Sequence, residues 1–253
     1  LFSTVRGHME MPIIARMTKE ENPRVFLDSI KLLAEAIDDD RIFKTDYAVA
    51  SAFLLYDRVA PEQYRHYINL ARLIYNKMKE EHSFLTSDQD ILFSALLAVS
   101  DIDTDNLFLE MEENYLLLKG KIFAAPSQEI AHVLSLDAGA PGIKVARFLN
   151  LYEKMKTSGL KYGSGYELTS LALLSLMDDD IDYLITQVSE INDYLKLQKS
   201  FHGISMSQSE RLMYCAMIII KENQLKNELI DSIILYVSLA NAIAAAAAAA
   251  AAA

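Results

Sequence analysis

Six aromatic residues, Phe2, Phe43, Phe84, Phe123, Tyr162 and Phe201, recur along this chain at intervals of 41, 41, 39, 39 and 39 residues. Each opens a short polar loop that runs into an apolar segment, as in FKTDYAVASAFLLY, FLTSDQDILFSALLAV and FAAPSQEIAHVLSL. A fixed period near forty residues marks one supersecondary unit repeated along the chain. No such unit buries its apolar side alone, so its neighbours must cover it.

The second half of each unit recurs as well. IYNKMK, NYLLLKG, LYEKMK and DYLKLQK share a tyrosine (Tyr75, Tyr115, Tyr152, Tyr194), then Leu or Met three residues on, then Lys or Gln. Spacings of three and four lie on one face of a helix. Each unit therefore reads as a helical hairpin, a short and almost wholly apolar helix followed by a longer amphipathic one with a wet face. The punctuation agrees. Pro12 and Pro126 fall where the apolar helices begin, and Pro23, Pro61 and Pro141 where the amphipathic ones begin. Proline costs least in the first turn of a helix. Ser87 with Asp90, Ser164 with Glu167 and Ser207 with Glu210 have the spacing of a capping box. With 52% hydrophobic residues, 8 glycines and 5 prolines, the composition favours helix.

The expected fold is all-α, a tandem array of about six αα-hairpins with a period of 39–41 residues. A curved α-solenoid is the favoured form, and a closed α/α toroid with the apolar helices inside is the alternative. Residues 1–243 are expected to form a single repeat domain, with 244–253 an alanine-rich tail or helix extension. SIILYVSL, at 232–239, sits where the outer helix of the sixth hairpin belongs.

The chain carries 35 acidic and 24 basic residues, a formal net charge of −11. Such a balance repels phosphate backbones and disfavours nucleic acid as a partner. The uncharged stretch from Ser232 is long enough to span a bilayer, but ten terminal alanines add little hydrophobicity, so a membrane anchor is disfavoured. The lone Cys215, inside the apolar run RLMYCAMIII, reads as a core residue of a cytoplasmic protein.

Two acidic motifs imitate metal sites. In DIDTDNLFLEME, Asp101, Asp103, Asp105 and Glu112 occupy positions one, three, five and twelve of a calcium loop. The loop's sixth position requires glycine for a sharp turn and here is Asn106, and the repeat places a helix through Leu107 to Leu118, so calcium is disfavoured. In MDDDIDY, Asp178, Asp179 and Asp182 have the DDxxD spacing of a magnesium–diphosphate site. No second acidic cluster is placed to face them, so a solvated helix start is the favoured reading. A toroid would enclose a cavity. Asp46, Asp90, Glu129 and Glu167 enter the apolar helices at similar phases and would ring its mouth, although helix N-terminal charge explains them more simply. The chain has no GxSxG, no phosphate-binding glycine loop and no histidine pair at metal spacing.

The repeats, with FSTVRGH at 2–8, HSFLTSDQD at 82–90 and QKSFHGISMSQSERLMY at 198–214, resemble an uncharacterised family of low-GC Gram-positive bacteria. It is catalogued as a domain of unknown function, number four thousand and three. The resemblance covers essentially the whole chain and implies an all-helical protein. It carries no known activity or catalytic residues, so it assigns no site. The reading that follows is a cytoplasmic helical-repeat scaffold that binds a protein or peptide, with no cofactor, no metal and no catalytic residues. A toroidal enzyme or binder of an isoprenoid- or glycan-type ligand is the alternative. The acidic balance favours a basic or neutral partner.

Overall fold

The computed structural model describes residues 7–37, 45–81, 87–100, 104–122, 124–201, 206–223 and 228–251. Among them lie twelve α-helices and no strand. They are α1 (Glu10–Met17), α2 (Pro23–Ile37), α3 (Asp46–Arg58), α4 (Tyr64–Glu81), α5 (Gln89–Ser100) and α6 (Thr104–Leu118), followed by α7 (Ala124–Ser135), α8 (Pro141–Thr157), α9 (Leu168–Ser175), α10 (Ile181–Lys196), α11 (Gln208–Asn223) and α12 (Glu228–Ala251). Each proline falls in the first turn of its helix or, for Pro61, in a single 3-10 turn leading into α4. The chain forms two compact units. One comprises Leu1–Thr104 with Glu228–Ala253, and the other Asp105–Asn227.

In the first unit α3 and α5 pack on each other, with α2 against α3 and α4 against α5. α3 buries every residue from Ala48 to Leu55, and α5 every residue from Asp90 to Ala98. A run longer than two turns leaves no face for water, so such a helix must be covered on all sides. α2 instead buries Phe26, Leu27, Ile30, Leu33 and Ala34, a single stripe. Phe26 anchors it edge-on to Phe53 and Tyr56 of α3, with ring centroids 5.9 and 5.0 Å away. The remaining side of the buried pair is taken by α12, which packs on both α3 and α5. Its Tyr236 lies 5.6 Å from the Phe93 ring of α5. The segment expected as an outer helix of the sixth hairpin is thus a buried helix of the first unit, and it continues through the alanines to Ala251.

In the second unit α9 is the helix without a wet face, buried from Leu168 to Ser175 and packed against α7, α8 and α11. α10 lies on α11 and α8. α8 and α10 show single buried stripes, Lys144, Val145, Phe148, Leu151 and Met155 on one, Leu184, Val188, Asn192 and Leu195 on the other. α8 ends in a Schellman turn. Leu160 N–H donates to Met155 O at 2.9 Å and Gly159 N–H to Lys156 O at 3.2 Å, with Gly159 at φ +80°, where an L side chain is strained. Tyr162 ties the loop before α9 to α11 by donating its phenol to Leu212 O at 2.9 Å, and Phe201 meets Tyr214 of α11 edge-on at 5.7 Å. Both of these periodic aromatics pack onto α11.

Candidate functional site

The acidic residues singled out by spacing are put to separate structural uses. Asp101 and Asp103 lie outside the described residues, Asp105 falls in the first turn of α6, and Glu112 is exposed further along it. In the DDxxD stretch, Asp180 caps α10 by accepting from the N–H groups of Asp182 and Tyr183 at 2.8 and 3.3 Å. Asp182 pairs with Lys154 at 2.6 Å. The turn bends around Arg147 of α8, which donates to the carbonyls of Ser175, Met177 and Asp179 and so closes the C-terminus of α9. Asp178, Asp179 and Asp182 are not brought together as a ligand set. Among the described residues no group of three or more His, Cys, Asp or Glu is placed to hold a metal.

The carboxylates at the starts of the buried helices fasten loops. Asp46 accepts from the His8 N–H at 3.0 Å and pairs with its Nδ1 at 3.0 Å. Asp90, buried, accepts from the Ser87 N–H at 2.6 Å. Glu210 and Ser207 close a reciprocal capping box, at 2.8 Å in one direction and 3.2 Å in the other. Glu167 departs from this pattern. It accepts from Gly165 N–H rather than from Ser164, and lies so near Gly163 that a Cβ there would sit 1.8 Å from its Oε1. Cys215 is fully buried, and burial pushes its thiol up to about 12, which leaves it neutral and unreactive.

An arrangement able to receive a ligand lies elsewhere, in the first unit between α2 and α4. A groove of about 380 Å³ runs there, a volume within the ordinary range for binding clefts. α2 supplies Ser29, Leu32, Leu33 and Ala36, and α4 supplies Tyr64, Arg65, Ile68, Asn69 and Arg72. Each helix contributes residues at i, i+3, i+4 and i+7, one continuous stripe. The groove exists because Ser29 and Ala36 are too small to fill the seam between two amphipathic helices. Its floor is apolar, from Leu33 and Ile68, both buried, and its edge includes Leu32, which is 67% exposed. Polar groups line the rim. Arg72 donates to the carbonyls of Ala36 and Ile37, closing the C-terminus of α2. Arg65 is exposed and, among the described residues, has no hydrogen-bond or ion-pair partner. Burial, with Tyr56 and Glu62 nearby, raises the Tyr64 phenol, which therefore stays a neutral donor.

None of these groove residues belongs to a chemical motif in the sequence. A signal was present in the paired stripes and in the charge of α4, whose YRHYINLARLIYNKMKEE holds four cations against two acids in a chain of net charge −11.

The chain is 25% identical to "Uncharacterized protein YeaA" of Bacillus subtilis (strain 168) over 173 residues, 65% of this chain and 52% of that protein. It therefore spans about half the length of this curated relative. No solved structure matches. No helix among the described residues is long and apolar enough to cross a membrane. The family model "Protein of unknown function (DUF4003)" matches residues 1–248, and the chain belongs to that family.

Proposed function

We propose that this protein is a non-catalytic helical-repeat scaffold of the cytoplasm that holds a segment of another polypeptide in the groove between α2 and α4. The observation that carries the proposal is the groove itself, which has an apolar floor, a leucine turned to water at its edge and a rim of hydrogen-bond donors. Specific polypeptide recognition combines these three elements. Two-row packing within each unit, with wholly buried helices flanked by amphipathic ones, supports reading the chain as a helical-repeat protein.

Selection of a displayed random-peptide library against the protein tests this. The control is Ala36→Trp, whose indole fills the seam. Enriched peptides are expected to bind the wild type and to lose at least about tenfold in affinity for the variant, since a blocked groove forfeits one or more kcal/mol of apolar contact. Circular dichroism checks that the variant is folded. Peptides that bind both proteins equally would remove the groove as the site, and a library with no enriched sequence would remove the scaffold reading.

A further inference from the structure

We infer that the occupant of the α2–α4 groove is an acidic amphipathic helix of a partner protein, with its apolar stripe on Leu32, Leu33 and Ile68 and a carboxylate against Arg65. The inference rests on the scaffold reading above and adds the chemistry of the partner.

The shape argues for a helix. Both walls are helical stripes of i, i+3, i+4 and i+7, about 12 Å long at 1.5 Å per residue. That is the length over which a third helix presents two residues one heptad apart. Two ridges with a seam between them receive such a ridge of side chains. An extended strand would instead need unpaired backbone N–H and C=O groups along the groove, and helical walls have none to offer away from their ends.

The charge argues for an acidic one. The groove is lined by two arginines and by no carboxylate. α4 carries four cations and two acids, against 24 and 35 in the whole chain. A net charge of −11 would steer acidic partners away at long range, yet screening at physiological salt confines that repulsion to about 8 Å, so close to the groove the local arginines decide. Arg65 is the one to watch, because Arg72 is already committed to the end of α2. A planar guanidinium with five donors and, among the described residues, no partner fits a carboxylate in two-point fashion.

Three fluorescein-labelled helical peptides test this by fluorescence anisotropy. They share leucines one heptad apart and differ in the two residues between them, which are Glu, Gln or Lys. The proteins are the wild type, Arg65→Glu and Ala36→Trp. The glutamate peptide is expected to bind the wild type at least about fivefold tighter than the glutamine one and to weaken as salt is raised. Arg65→Glu is expected to invert the preference toward the lysine peptide. Equal binding of all three peptides would overturn the inference. It would leave the scaffold reading standing if Ala36→Trp still abolished binding. If no peptide binds while the library selection yields groove binders of other chemistry, only the inference falls, and if both experiments fail, both readings fall. Decanoate, a carboxylate on an apolar chain, is titrated separately. Its binding in place of the peptides would make the occupant a small amphipathic anion and would overturn the inference.

Discussion

Ending the chain after Asn227 is expected to leave the first unit without its native fold. The truncation removes α12, which buries Ile233, Tyr236, Val237, Leu239 and Ile243. A fully buried large apolar side chain contributes about 1.5–3 kcal/mol, so these five amount to roughly 8–15 kcal/mol. The whole stability of a domain is of order 5–15 kcal/mol. The loss is also two-sided. α3 and α5 have no wet face, and removing α12 exposes the apolar surface it covers to water. Hydrogen exchange measures the effect directly. Amides of α3 and α5 are expected to lose protection by orders of magnitude, and a dye that binds exposed apolar surface is expected to light up. Ending the chain after Ile243 is the control. It keeps all five buried side chains and is expected to shift stability by no more than about 0.5 kcal/mol, the range of a change away from the core. Full protection of α3 and α5 in the shorter chain would mean that α12 is not what covers them.

The role of α12 marks where sequence and structure part. The alternation of apolar and amphipathic helices is legible in the chain because hydrophobic spacing and proline position are local properties. The apolar helices carry no wet face in the chain, and α3, α5 and α9 have none in the fold. Counting in phase then placed SIILYVSL as an outer helix, yet from Ser232 onward the chain has no charge at all. An amphipathic outer helix needs a polar face, so the composition of α12 already contradicted its position in the count. The more physical signal was the lack of charge.

The site was illegible for a different reason. Acidic motifs are visible in a chain because the residues that would coordinate an ion are the signal. Whether they converge depends on what else competes for them and how the backbone turns, and here Lys154 pairs with Asp182 while Arg147 holds the turn by its main-chain carbonyls. Ser164–Glu167 and Ser207–Glu210 share one spacing, yet only the second closes the capping box, because Gly163 and Gly165 let Glu167 fold onto its own loop. The α2–α4 groove is a consequence of small side chains, Ser29 and Ala36, at the seam of two helices. Nothing in the period announces which outer helices leave their seam open, since the same stripe reads equally well as a packed one.

Raising the pH above about 9 is expected to destabilise the second unit, and Tyr162→Phe is expected to resist that loss. Burial is the main cause of the upward shift of the Tyr162 phenol from its ordinary 10.0, with Cys215 and Glu167 adding to it. Burial likewise pushes Cys215 from 9.0 to about 12. Both groups are neutral in the folded chain, whereas the unfolded chain releases their protons near the ordinary values. The folded state therefore binds more protons across this window. The stability these groups contribute is complete below pH 9 and falls as pH rises through the ordinary values toward the raised ones. A pH of 11 is two units above the ordinary value of the thiol, 9.0, and one above that of the phenol, 10.0. At 1.36 kcal/mol per unit the folded state loses about 4 kcal/mol relative to pH 8. Tyr162→Phe gives up the hydrogen bond to Leu212 O, worth about 1 kcal/mol, and is less stable than the wild type at pH 8. It also removes the phenol's share of the alkaline loss, about 1.4 kcal/mol at pH 11, so the two stability curves are expected to cross near that pH. Urea midpoints measured from pH 8 to 11 decide the matter. Parallel curves that never approach each other would show that the Tyr162 phenol ionises in the folded chain as readily as in the unfolded one, and the buried bond from α11 to the loop before α9 would have to be withdrawn.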